Sequence, residues 1–164
     1  CMFDALGSTM ATFAGQNVGA KKLDRVDEGI RTSVLIGAVY SILAFAVLYF
    51  FGNNICLLFV NSSEMEIINN AHRLLIINSA LYVAVVFVNV VRFTIQGMGY
   101  SKLAILAGVC EMIARSVVGF VFVPLLGYNA VCFANPVAWI MADLFLVPAY
   151  LKLSKKMKKQ FGVA

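Results

Sequence analysis

Four stretches of this sequence, at about residues 32–51, 74–96, 103–126 and 129–151, each run for some twenty residues with almost no charge. A helix rises about 1.5 Å per residue, so a run of about twenty crosses a hydrocarbon layer about 30 Å thick. Composition agrees: the 164 residues are 62% hydrophobic and 13% charged, with a mean hydropathy of +0.89, which leaves too little polar surface to cover a water-soluble globule. The expected fold is an all-α membrane protein with four full transmembrane helices. A fifth apolar stretch, residues 1–14, is too short to span. It opens on Cys and lacks the basic region and cleavage site of a signal peptide, so it reads as the end of an earlier span in an incomplete chain.

Short cytoplasmic loops retain Lys and Arg, and the basic residues here fall on one side. Lys21, Lys22, Arg25 and Arg31 precede the first span, and Lys102 separates the second from the third. Lys152, Lys155, Lys156, Lys158 and Lys159 follow the fourth, making residues 152–164 a cytoplasmic basic tail. The opposite side holds His72 and Arg73 accompanied by Glu64 and Glu66, and a tight, uncharged turn at 125–129. The net charge of +5 is thus a topology signal and an attraction to anionic head groups of the lipid bilayer. Nucleic-acid binding is a poor reading, because the basic tail is short, adjoins a span and carries no interleaved aromatic platform. Residues 20–31 alternate in charge and read as an amphipathic cytoplasmic helix. In the connection between the first two spans, Asn61, Ser62, Ser63 and Glu64 read as the start of a short surface helix capped by Ser62 or Ser63.

Soluble-style catalysis finds no support. The cysteines, Cys1, Cys56, Cys110 and Cys132, are far apart and form no metal or redox pair, and read as small apolar packing residues. His72 is the only histidine. No nucleophile elbow or phosphate-binding glycine loop occurs, so the chain is not expected to be an enzyme.

Polar side chains inside the spans carry the remaining information, because hydrocarbon offers them no partners. On a continuous second span, at 100° per residue, Asn78, Tyr82, Asn89, Arg92 and Gln96 form one stripe. The stripe must face other helices or a water-filled cavity. Asn78, Tyr82 and Asn89 are candidate cavity-lining residues, with interhelical hydrogen bonding as the alternative; Arg92 and Gln96 read as structural. On the third span Glu111 and Arg115 are four apart and can pair within the helix, with Gly108 and Gly119 on the same side suggesting a close helix contact. The alternative is that Glu111 takes and releases a proton. On the fourth span Asn135, Trp139 and Asp143 succeed one another at i+4, with Pro136 expected to loosen the helix. Asp143 is a second proton or cation site, or else a salt-bridge partner of Arg92 or Arg115.

The segment 13–20 (FAGQNVGA), followed by Lys21, Lys22 and Arg25, resembles the cytoplasmic loop motif of the multidrug and toxic compound extrusion (MATE) transporters. Residues 89–100 (NVVRFTIQGMGY), the Glu111/Arg115 pair, and Asn135-Pro136 with Trp139 and Asp143 are similar to the last three helices of bacterial members. The resemblance implies a parent of twelve helices in two six-helix lobes, of which this chain would hold the end of the eighth and the ninth to twelfth, without the N-terminal lobe. It implies a multi-pass protein of the bacterial inner membrane, C-terminus cytoplasmic, that exports small organic cations in exchange for Na⁺ or H⁺, with no other cofactor. Some relatives carry an acid midway along the tenth helix. The matching region here, residues 86–88, is apolar, so coupling would rest on Glu111, Asp143 or a carboxylate outside the chain. Two other functions fit the same pattern: flipping of a lipid-linked or polysaccharide precursor, which would call for more basic residues in the spans than Arg92 and Arg115, and a non-transporting membrane assembly subunit.

Overall fold

A computed structural model of the chain describes residues 2–59 and 64–161, and among these every regular element is helical. Helix α1 (Met2–Gly19) leads through a turn at Lys21 into α2 (Leu23–Leu57). Next come α3 (Met65–Ala80) and α4 (Tyr82–Gly97), then α5 (Ser101–Val117), a wide π-helical turn over Val118–Phe122, and the short α6 (Val123–Leu126). Helix α7 (Tyr128–Phe161) closes the bundle. Three spans, α2, α5 to α6, and α7, are long and apolar enough to cross a membrane. The α3–α4 pair makes a fourth, bent by 53° at Leu81. Four spans and an all-α membrane fold are what the apolar runs require.

The element limits differ from the sequence expectation, each for a local reason. With no proline between Leu23 and Leu57, α2 runs unbroken for 35 residues, about 52 Å at 1.5 Å each, so the charged segment before the first span is the projecting end of the span helix. Likewise α3 is no separate surface helix. It starts at Met65 and enters the second span directly, while Ser62 and Ser63 lie outside the described residues. The segment 13–19 read as a loop motif is the last part of α1, and the basic tail stays helical to Phe161 as part of α7.

The break at Leu81 follows from the two residues before it. Asn78 Nδ2 donates to the Leu74 carbonyl at 2.9 Å and Ser79 Oγ to the Ile76 carbonyl at 3.1 Å, side-chain bonds that compete with the backbone ladder and bend helices. The backbone tightens there, with Leu81 N–H bonding the Asn78 carbonyl at 3.1 Å. At the other irregularity, Pro124 lacks the N–H that would bond four residues back, and the wide π turn lies immediately before it. The reversal into α7 is made by Gly127 alone, at φ 59°, a left-handed conformation that favours glycine.

Helix α4 is the centre of the bundle, packed by α1, α2, α5 and α7. Its Val86, Val90, Thr94 and Ile95 are fully buried, and Thr94 satisfies its hydroxyl on the Val90 carbonyl at 2.6 Å. Val88, Val91 and Ile95 join Leu146, Tyr150 and Leu153 of α7, while Val86 and Val90 meet Phe3 and Met10 of α1. The outer faces behave oppositely: Leu35, Ile42, Leu43 and Phe50 of α2 and Ile105 and Met112 of α5 stand exposed, as a lipid-facing surface requires. Close helix contacts are made by small residues, but not those expected. A Cβ on Gly108 or Gly119 would meet nothing within 4 Å among the described residues, so none of them presses on the third span there. The tight crossing is α1 on α4, where a Cβ on Gly97 would strike the backbone of Ala11 and one on Gly7 the Phe93 ring.

Candidate functional site

The bend at Leu81 brings two polar side chains from consecutive helices to one hollow. Asn78, at the end of α3, and Tyr82, at the start of α4, line a pocket of about 270 Å³ with Leu74, Leu75, Asn135 and Trp139. Seven residues beyond Tyr82, Asn89 lies about 20° around the same α4 face and is half-buried, but it is not one of the pocket's walls. The single stripe expected along the second span is therefore divided. Tyr82, Asn89, Arg92 and Gln96 share one helix, and Asn78 belongs to another arm that the 53° bend redirects toward Tyr82.

Three features give the pocket its chemistry. The Tyr82 and Trp139 rings stand 6.4 Å apart at 56°, two aromatic walls of different orientation. Asn78 spends an amide N–H on the Leu74 carbonyl, and its buried Oδ1 has no donor among the described residues. A buried acceptor without a hydrogen bond costs about 1–3 kcal/mol, so this oxygen is primed for a donor or a cation. Asn135, on the same face of α7 as Trp139, adds an amide at the rim. Tyr82 is itself braced, its ring edge-on to Phe3 of α1 at 5.4 Å, and Phe3 is in turn edge-on to Tyr40 of α2 at 5.4 Å. Nothing in the spacing of Phe3 and Tyr40 marks them as a support for this site.

Beyond Trp139 toward the basic end lies a cluster of four charges. Glu111, 8% exposed, is gripped on both oxygens: Oε2 accepts from Arg115 on its own helix at 3.1 Å, and Oε1 pairs with Arg92 of α4. The in-helix pair was legible from spacing. The bridge from α5 to α4 was not, because helical periodicity gives no information on which helices face each other. Asp143 of α7 lies close enough to Arg92 for the charges to interact, yet its buried Oδ1 has no hydrogen-bond partner among the described residues. Two guanidiniums and two carboxylates make the cluster formally neutral. Among the described residues no group of three or more His, Cys, Asp or Glu side chains forms a metal site.

A third polar assembly, unanticipated from sequence, ties the basic ends of α2 and α7. Tyr150 Oη donates to Asp27 Oδ1 at 2.6 Å, and Lys158 Nζ reaches Asp27 Oδ2 at 2.8 Å and Asp24 Oδ1 at 2.9 Å. The alternating charges of residues 24–31 thus include direct partners for the last helix.

The family profile MatE matches residues 2–121. The Bacillus subtilis (strain 168) protein named "Probable multidrug resistance protein YoeA" is 28% identical over 95 residues, which cover 58% of this chain and 20% of that protein. The chain thus matches about a fifth of that relative's length. No solved structure matches significantly. Asn135, Trp139 and Asp143 fall beyond the matched family region.

Proposed function

This chain belongs to the MatE family of membrane transporters, and from that premise we propose that it forms most of the second lobe of an exporter of small organic cations driven by inward Na⁺ or H⁺ flow. The natural setting in this reading is a bacterial inner membrane, with the Lys-rich end of α7 in the cytoplasm and an N-terminal lobe of the same protein opposite. No covalent chemistry is involved. Transport of this type rests on a site near mid-membrane to which access alternates.

The observation that carries the reading is the pocket between Asn78, Tyr82, Asn135 and Trp139. Aromatic faces attract organic cations by roughly 0.5–2 kcal/mol each, and the orphaned Asn78 carbonyl adds a negative dipole without a formal charge that would hold cargo too firmly. The neighbouring cluster, formally neutral, offers no excess positive charge for an anionic lipid-linked cargo. Asn89 lies between the pocket and the cluster along α4, and lines the route rather than the pocket itself.

For coupling, the two span carboxylates take different parts. Glu111, held by two guanidiniums, is the structural partner of Arg92 and Arg115. Asp143 has an oxygen with no hydrogen-bond partner among the described residues and makes no salt bridge to Arg92, so its carboxyl is the one free to take a proton or a cation. The test is binding of tetraphenylphosphonium to the purified full-length protein. Tyr82→Ala and Trp139→Ala each weaken binding roughly three- to thirtyfold while Tyr82→Phe retains it. Unchanged affinity in both alanine variants would remove the cargo from this pocket.

A further inference from the structure

At the basic end of the bundle, on the side of α7 away from the Asp27 clasp, an apolar groove of about 460 Å³ runs between α5 and α7. Its walls include Leu103, Leu144, Phe145 and Pro148, and Lys152 and Lys156 close it at the basic end. On α7, Leu144, Pro148, Lys152 and Lys156 follow at intervals of four, so the two ammonium groups stand one turn apart directly beyond the apolar part of the same face. Leu144 is 67% exposed, which leaves the groove open to the surrounding lipid.

The two lysines differ from their neighbour in one respect. Lys158 is neutralised by Asp24 and Asp27, whereas Lys152 and Lys156 have no acidic partner within 4 Å among the described residues. Two unneutralised positive charges, one turn apart at the head of an apolar trough in the membrane surface, match an acyl chain topped by a phosphate. We infer that this groove is a binding site for one anionic phospholipid, drawn from the leaflet at the basic end, with its phosphate between Lys152 and Lys156 and an acyl chain along Phe145 and Pro148. The volume falls within the range of small-ligand sites, about 300–1,000 Å³. The occupant is a lipid because every wall below the lysines is apolar or aromatic and opens toward lipid. A lipid held there spans α5 and α7, the two helices that carry Glu111 and Asp143, without touching either acid.

Intact-mass titration of the purified full-length protein in neutral detergent tests this, with phosphatidylglycerol and phosphatidylcholine as the two probes. One phosphatidylglycerol should bind at least tenfold more tightly than phosphatidylcholine. Lys152→Gln with Lys156→Gln should lower the phosphatidylglycerol affinity by roughly twenty- to thirtyfold, at about fivefold for each surface charge, and lower that of phosphatidylcholine far less, because choline offsets the charge of its phosphate. Lys22→Gln with Arg25→Gln removes the same charge from the same end of the bundle but away from the groove, and should change nothing. Both groove lysines are exposed, so folding is spared, and melting without added lipid verifies it. Equal binding of the two lipids, unchanged phosphatidylglycerol affinity in the groove variant, or equal losses in both double variants would each overturn the site; the last would mean diffuse surface charge, and the first a groove filled by other parts of the protein.

Discussion

A Cβ added at Gly97 would strike the Ala11 backbone, whereas one added at Gly108 would meet none of the described residues within 4 Å. Both are helical glycines, and only the structure separates them. Gly97→Ala is expected to cost about 1–3 kcal/mol by forcing α1 off α4, while Gly108→Ala should be neutral or stabilise by up to about 1 kcal/mol through helix propensity. Melting of the two variants in detergent checks the contrast, and similar melting points would mean that α1 and α4 are not in close contact. The charges separate in the same way. Glu111→Gln leaves Arg92 and Arg115 facing each other with no full counter-charge between them, a loss on the order of 3 kcal/mol, the low end for a buried pair because Arg115 is 45% exposed. Asp143→Asn, at a carboxylate with an unused oxygen, should stay within about 1 kcal/mol in stability and instead remove the dependence of efflux on the driving ion. A stable, still coupled Asp143→Asn protein would transfer coupling to another residue. At this scale the sequence was a partial guide: it singled out Asn78, Tyr82, Glu111 and Asp143 because polar groups in a span are costly, but it could not say that Glu111 holds Arg92, since that contact joins residues on different helices.

Among the elements, the broken second span departs most from its apolar pattern. A window of hydrophobicity sees one span from 74 to 96, because Leu81 and its neighbours are apolar and no proline or glycine marks the break. The signal was the pair Asn78-Ser79, two side chains able to bond the preceding turn, and it was outweighed by the run of valines that follows. Replacing them, Asn78→Leu with Ser79→Ala, should straighten the span. Spin labels at the exposed positions Arg73 and Gln96 would then move apart; an unchanged distance would assign the 53° bend to packing by α2 and α7 rather than to side-chain bonding. The clasp between α2 and α7 is the second device of this scale. Lys158 lies beyond the apolar part of α7, and its hydrogen bond to Asp27, then that to Asp24, raises its pKa above the ordinary lysine value. A cation with a raised folded pKa contributes its stability in full below the ordinary value of 10.5 and loses it as pH rises through the raised one. The melting difference between the wild type and Lys158→Gln should therefore be constant from neutral pH to about 10 and close only above that. A difference that vanished near pH 8 would show that the lysine is not held by these carboxylates.

Over the whole molecule, an all-helical fold with three spans and a bent fourth was legible because a bilayer imposes length rules that one sequence displays directly, while the helix limits were not. The packing order was not legible. Helix α4 lies at the centre, α1 seals one side of it and α7 the other, and the aromatic run Tyr40, Phe3, Tyr82 and Trp139 crosses four helices that no sequence spacing connects. A cavity that alternates between two sides needs two lobes, so the 164 residues expressed alone should insert but not clear any dye. The most direct measurement is ethidium efflux from cells producing the full-length protein, compared with vector alone and with the Trp139→Ala variant at matched membrane abundance. A cation exporter with its cargo at the Tyr82/Trp139 pocket predicts dye clearance above vector that drops at least threefold in the variant. Cells that retain ethidium as vector cells do, or a Trp139→Ala protein that clears it at the full rate, would contradict the account.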